Sequence, residues 1–290
     1  MILVTGAAGK TGRAVISALA RKKQSVRALV HREEQVYPVE ELGAADVLVG
    51  DMRSIETLER AVDGVESVYH ICPNVDPGEF QMGKSIVASA VSAKVGHFVF
   101  HSVLHPQVEA MPHHWMKMRV EEVLLGSGLN FSILQPAPYM QNLHGQLGAI
   151  LEQGVYEVPY SVNAPMSLVD LEDVAEAAAE VLASPTHAGA TYELAGPEIL
   201  TPKQVAGILS RHLNRVVRAA QISFESWKQR AQTAGLGSYQ VDTLAKMFAY
   251  YDCNGLWGNP LTLKTLLGRQ PVSFSEYVER AIQSGPSETR

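Results

Sequence analysis

The sequence predicts an α/β fold, a doubly wound parallel sheet that carries a smaller, mostly helical C-terminal domain. Three observations predict it. Short apolar runs alternate with amphipathic helical patterns over the first 135 residues, as repeated strand–helix–strand units require. The runs are apolar nearly throughout rather than alternating, the pattern of strands covered on both faces. The first run leads into Gly6-Ala7-Ala8-Gly9-Lys10-Thr11-Gly12, three glycines spaced G-x-x-G-x-x-G ahead of a helix.

Taken in order, residues 2–4 read as the first strand, and the helix after the glycines puts Val15, Ile16 and Leu19 on one face. A second strand at 26–30 lies at the spacing of a βαβ unit. Further strands are expected at 47–49, 67–71, 97–101, 130–134 and 191–194, with helical patterns at 55–62, 84–93, 117–125 and 171–182. Ser54 is a good N-cap for the first of these helices, whose buried stripe is Leu58, Ala61 and Val62. After Gln135 the alternation breaks at Pro136 and Pro138. Residues 139–152, 154–165 and those from Pro202 onward read as helices and irregular loops, while 166–194 returns to the α/β rhythm. The expected division is a dinucleotide-binding domain of 1–135 plus 166–195 and a lid-like substrate domain of 136–165 plus 196–290. Residues 285–290 are expected to be disordered.

Composition narrows the function. Apolar residues make up 46% and charged residues 19%, ordinary for a soluble globular chain, and no run approaches the ~18 apolar residues of a membrane span. The first strand starts at Met1 without a basic leader or cleavage site, so a cytoplasmic protein is expected. Cys72 and Cys253 lack metal-ligand spacing and form no disulfide framework. A net charge of −6 with dispersed basic residues argues against direct nucleic-acid binding.

The glycine run is what a pyrophosphate site needs: a sharp backbone turn, a close approach and then a helix N-terminus with free N–H groups. A nucleoside-triphosphate P-loop would require glycine five positions before Gly9-Lys10, where this chain has Val4. The dinucleotide reading assigns Gly6, Ala8, Gly9, Lys10, Thr11 and Gly12 to phosphate binding, against the alternative of an ordinary Gly-containing strand-to-helix turn. At the end of the second strand stands His31-Arg32, where an acidic residue would select NAD; a planar guanidinium suits a 2′-phosphate, so NADP(H) is favoured over NAD(H). The competing role for Arg32 is an ion pair with Glu33 or Glu34. Asp51 either accepts from an adenine amino group or caps the next helix. Met52 and Cys72, after the third and fourth strands, complete the expected cofactor set.

The stretches TGAAGKTG, VRALVHR, GDMRSIETLERAVDGVESVYHI and LLGRQPVSFSEYV together resemble the NmrA-like group of atypical short-chain dehydrogenase/reductases, over nearly the whole chain. The resemblance implies a Rossmann domain, a small C-terminal domain forming a cleft, and NADP(H) binding. Short-chain dehydrogenases ordinarily carry Ser, Tyr and Lys, with Tyr and Lys at i and i+4; here Lys117 is retained, and His113 occupies the Tyr position. By that resemblance Lys117 fixes the nicotinamide ribose and Ser102 lies at the strand end beside it. His113 is either a proton donor, with an ordinary imidazole pKa of about 6.5, or a residue that only lines the pocket. The histidines 101, 105, 113 and 114 have no recognised zinc spacing, so no metal is expected. Tyr139 and Met140 fall in the segment that enters the family's cleft, although Gln135 stands where many relatives have Arg. Phe248 and Trp257 add aromatics suited to a flat ligand, or to core packing. Asp170 and Asp173 read as a helix cap with an acidic first turn.

Such proteins include quinone and dye reductases and also redox-sensing regulators. The leading expectation is therefore an NADP(H)-dependent oxidoreductase acting on a small conjugated or quinone-like carbonyl compound. The alternative is an NADP(H)-sensing regulator that binds a protein partner without turnover.

Overall fold

The computed structural model describes residues 1–284; residues 285–290, expected to be disordered, lie outside the described residues. The chain begins with β1 (Ile2–Val4), α1 (Lys10–Arg21), β2 (Val26–Val30), α2 (Val36–Glu40), β3 (Asp46–Val49), α3 (Ile55–Val62), β4 (Ser67–His70), α4 (Glu79–Ser92), β5 (His97–His101), α5 (Pro112–Leu125) and β6 (Phe131–Pro136). It continues through α6 (Leu147–Gln153), β7 (Val155–Val158), β8 (Met166–Ser167), α7 (Leu171–Ala183), β9 (Ala190–Leu194), β10 (Ile199–Leu200) and α8 (Pro202–His212). The last elements are β11 (Arg218–Gln221), α9 (Phe224–Thr233), α10 (Ser238–Asn254), α11 (Leu261–Leu267) and α12 (Phe274–Ser284).

Seven strands form one sheet in the order β3-β2-β1-β4-β5-β6-β9. Strands β1 to β6 pair in parallel, with Val4 beside Ala28 on one side and Tyr69 on the other. This is the doubly wound sheet the apolar runs predict. The chain builds outward from β1 to β3 and then returns to lay β4 on the opposite side of β1. Strand order therefore reverses between β1 and β4, and ligands of open α/β sheets bind beyond the carboxyl ends at such a point. The core behind it joins Leu3, Leu29, Leu58 and Ile86 to Phe98 and Phe100. Full burial of one such side chain stabilises by ~1.5–3 kcal/mol. Ser54 caps α3 by accepting from the Thr57 N–H at 3.2 Å, as its sequence position predicts.

Two helices start earlier than their apolar patterns suggest. Helix α4 begins at Glu79 rather than residue 84, and α5 at Pro112 rather than residue 117. Proline is well suited to the first helical position because no intrahelical partner awaits its missing N–H. Gly78 and Gly83 blur the period of α4, and the His113-His114 pair blurs that of α5.

The chain clusters into two compact units: Met1–Glu109, His113–Gln135 and Glu172–Tyr192 form one, and Ala110–Pro112, Pro136–Leu171 and the residues from Glu193 onward form the other. The second unit is not only helices and loops, as the sequence suggests. It holds a parallel pair, β7 with β11, and an antiparallel pair, β8 with β10. These strands are two to four residues long, and Arg218-Ala219-Ala220-Gln221 has no β-branched residue, so no period-2 signal marks them. Its core gathers Met140, Leu143, Ile150, Val205, Leu209 and Phe274. Among the described residues no helix is long and apolar enough to cross a membrane.

Candidate functional site

The turn after β1 is built around positions where a side chain does not fit. Gly6 has φ +59°, and a Cβ there would lie 2.9 Å from the Ile71 carbonyl oxygen, just past β4. The Gly9 N–H donates to the Gly6 carbonyl at 3.0 Å and closes the turn. Gly12, in the first turn of α1, is buried, and a Cβ on it would lie 2.4 Å from the Gly6 oxygen and 2.6 Å from Ala7 Cα. The helix N-terminus is thus pressed onto the turn. Gly9 supplies no side-chain cap, and the first turn of α1 holds no acidic residue. First-turn N–H groups have no acceptor within a helix and carry the positive end of its dipole. A pyrophosphate fits this arrangement. Gly9 and Lys10 are exposed there, while Ala8 and Thr11 are half-buried.

His31 and Arg32 are exposed beyond β2, and both backbone N–H groups donate to Gln35 Oε1, at 3.0 and 3.1 Å. Arg32 pairs with Glu34 at 3.1 Å, the surface pair weighed from the sequence. Exposed pairs of this kind contribute about 0–1 kcal/mol, so Arg32 remains available to a stronger anion. Asp51 is not the cap of α3, since Ser54 fills that position; its Oδ1 accepts from the Arg53 N–H at 2.9 Å. Met52 packs at the rim of the main core.

One face of α5 carries His113, Lys117 and Glu121 at i, i+4 and i+8. Lys117 Nζ donates to the carboxylate of Glu79 on α4 and lies 5.8 Å from the centre of the Phe100 ring. Burial works against the Lys117 ammonium, but Glu79, with help from Glu121, outweighs it and holds the lysine above its ordinary value. Glu79 is itself 1% exposed; burial pushes its carboxyl up and the charge of Lys117 opposes the push. Ser102 is buried at the end of β5, and its hydroxyl donates to Glu121. Gln135 Nε2 donates to both Glu121 oxygens, at 3.0 and 3.1 Å. Burial raises the Glu121 carboxyl, against these hydrogen bonds.

His113 is buried in the first turn of α5, edge-on to His114 with ring centres 4.5 Å apart, and among the described residues its Nδ1 has no hydrogen-bond partner. Burial pulls it down to about 2, with His114 and Lys117 adding to the shift. The ring is therefore neutral near pH 7. A donor with an ordinary imidazole pKa, one of the two sequence expectations, is not what the fold makes of this residue. A neutral ring can still donate a hydrogen bond. His70 bonds Thr5 Oγ1 at 2.9 Å and stacks on Phe100, and His101 bonds the Tyr69 hydroxyl at 2.7 Å; burial lowers both to about 3, with the charge of Lys117 adding to it. Cys72 is buried and its thiol is pushed far up by burial and by Glu79.

The sequence reading missed Glu79, Glu121 and His70. Glu121 carried a usable signal, its place one turn beyond Lys117. Glu79 had none, since it stands 38 residues away on another helix.

In the second unit, Tyr139 is half-buried and forms a bridge with Val169. Met140 is 2% exposed within the core cluster, so packing accounts for it. Phe248 joins an aromatic cluster, stacked on Tyr160 at 5.9 Å and edge-on to Trp227 at 4.9 Å. Trp257 is 52% exposed. Asp170 stands just before α7 and accepts from Gln141 at 2.6 Å and from Arg280.

A sequence profile of the NmrA-like family matches residues 1–284. The chain is 30% identical over 281 residues to the NAD(P)H azoreductase of Xenophilus azovorans, covering 96% of this chain and 97% of that protein. It is 25% identical over 280 residues to quinone oxidoreductase 2 of Escherichia coli strain K12, with 96% and 97% covered. Its fold matches the crystal structure of an NADPH-dependent quinone oxidoreductase of Escherichia coli complexed with NADPH, at a TM-score of 0.86 and 25% identity over 97% of this chain and 99% of that chain.

Proposed function

The chain belongs to the NmrA-like family, and from that premise we propose that it is an NADP(H)-dependent oxidoreductase that reduces a small conjugated, quinone-like or dye-like acceptor by hydride transfer. The observation that carries this reading is its likeness, over nearly the full length of both chains, to an NAD(P)H azoreductase and a quinone oxidoreductase. The site geometry supports the cofactor end. Gly6, Ala8, Gly9, Lys10, Thr11 and Gly12 would hold the pyrophosphate, and Arg32 would leave Glu34 for the 2′-phosphate, which makes NADP(H) the preferred cofactor. Asp51 and Met52 would meet the adenine, and Cys72 and Lys117 the nicotinamide end.

Bound NADPH supplies a hydride, and the acceptor gains one proton to complete a two-electron reduction. Lys117 would hold ribose hydroxyls with its ammonium, and Ser102, at the end of β5 and bonded to Glu121, would face the same end of the cofactor. His113, as a neutral ring, orients the acceptor by a hydrogen bond and does not act as an imidazolium acid. Conjugated acceptors spread the charge they gain, so water suffices as the proton source. Within the second unit, Tyr139, Phe248 and Trp257 carry aromatic surface of the kind on which a flat acceptor stacks.

The test is NADPH oxidation, followed by absorbance, against a panel of quinones, azo dyes and enals. Turnover with flat conjugated acceptors is the expected result. A protein that shifts NADPH fluorescence yet oxidises none of it across the panel is a sensor, and the reductase reading fails.

A further inference from the structure

We propose that Glu79 is a positioning residue of this site: its buried carboxylate anchors Lys117 and keeps it an ammonium at the nicotinamide end of the cofactor. The inference deepens the proposed function and rests on it for the role of Lys117. Glu79 opens α4 directly after Gly78, where the helix dipole favours a carboxylate. A buried carboxylate needs a counter-charge, and Lys117 is the cation that meets it.

The approach of the two helices places the pair. A Cβ on Gly83 would lie 2.5 Å from Val120 Cγ2, so α4 and α5 touch at a distance that only glycine permits. Gly83 is one turn beyond Glu79, and Val120 is one turn beyond Lys117, so this contact sets acid against amine. The pair also borders the strand end that the glycine turn touches. Cys72, in the electrostatic field of both Glu79 and Lys117, follows Ile71, whose carbonyl faces Gly6.

The other groups around Lys117 do not substitute for Glu79. His70 on β4, His101 on β5 and His113 and His114 on α5 are held neutral near pH 7 by burial, at about 3, 3, 2 and 4. Cys72 keeps its proton, and Asp76 is paired with Arg53 at 2.6 Å. Glu121, the second carboxylate in range, is engaged by Ser102 and Gln135. Removing the charge of Glu79 leaves burial as the dominant effect on Lys117, and the ammonium gives up its proton at lower pH.

Two readouts test this. In the cofactor-free protein, the Lys117 side-chain carbon signal, assigned by its absence in Lys117→Met, should stay in the ammonium position to about pH 10 and titrate at least ~1 pH unit lower in Glu79→Gln. The alkaline limb of kcat/KM for NADPH should move down with it, and Glu79→Asp should bring both back toward the wild type. A role in packing alone would lower stability or rate equally at every pH. A Lys117 signal that loses its proton below the exposed lysines in the wild type, or that does not move in Glu79→Gln, overturns the proposal. Should Glu79→Gln fail to fold, the wild-type signal and Glu79→Asp decide. No turnover together with a shifted signal sinks the reductase reading and leaves the coupling of Glu79 to Lys117 standing; turnover with an unmoved signal sinks the inference alone.

Discussion

The glycine turn and the buried face of α5 work on different physical terms. The turn acts through backbone: positive φ at Gly6, a helix N-terminus that the bare Gly12 lets press against Gly6 and Ala7, and no side chain at the exposed Gly9 to obstruct a phosphate. The α5 face acts through charge state, which its neighbours set. His113, an ordinary pH-7 acid in isolation, is pulled down to about 2 by burial, whereas Lys117, which burial alone would discharge, is held charged by Glu79. Residue spacing therefore locates a ligand well. It says little about protonation, which depends on residues far away in the chain.

The sharpest way to break this contrast is to remove the charge of Lys117. Lys117→Met leaves Glu79 buried without its cation, and urea denaturation at pH 8 should show a loss of about 3–5 kcal/mol. The loss should shrink as the pH falls and Glu79 takes up a proton. Unchanged stability would mean that the α5 face is not governed by buried charge. Next comes the backbone side. Gly12→Ala forces a Cβ into the Gly6 carbonyl, and about 1–3 kcal/mol of stability should be lost together with roughly tenfold or more in NADPH affinity. Undiminished affinity in a fluorescence titration would show that the turn tolerates a side chain.

A pH series probes the buried histidines. His70, His101, His113 and His114 sit at about 3, 3, 2 and 4 in the fold, against an unfolded value near 6.5. Their stabilisation is present above about pH 6.5 and is lost as the pH falls toward those folded values, because the unfolded chain then binds more protons. Each should cost on the order of 1 kcal/mol between pH 7.5 and 5.5, softened by Glu79 and Glu121, whose raised values act in the opposite direction. A flat profile of denaturation midpoints would contradict their burial as neutral rings. The smallest effect belongs to the exposed Arg32. Arg32→Ala should weaken NADPH about tenfold, or ~1.4 kcal/mol, and NADH little, while stability stays within about 0.5 kcal/mol. Equal losses for the two cofactors would move the 2′-phosphate contact elsewhere.

Much of the doubly wound sheet was legible because its strands are continuous apolar runs and because caps such as Ser54 mark the helices between them. The short strands of the second unit were not, since two to four residues with little β-branching leave no period to read. The glycine turn was legible for the steric reason already given. Asp51 could be narrowed only by the fold, because an Asp between a strand end and a helix start suits an adenine contact and a helix cap equally well. Met140 drew attention by its place in a motif, yet its side chain belongs to the core. Glu79 could not have been found from sequence: it acts across a helix–helix contact, and the apolar pattern begins that helix only at residue 84, five residues past it.

Under the proposed function the turn would hold the cofactor while the α5 face would support the chemistry. Single-turnover mixing tests it most directly: protein loaded with NADPH is mixed with a quinone and followed by absorbance, with NADPH binding measured by fluorescence on the same samples, for the wild type and for folded Lys117→Met. The wild type should oxidise its NADPH stoichiometrically, and the variant should do so at a rate lower by roughly 100-fold with binding reduced no more than about tenfold. No oxidation by the loaded wild type, or equal rates in the two proteins, would contradict it.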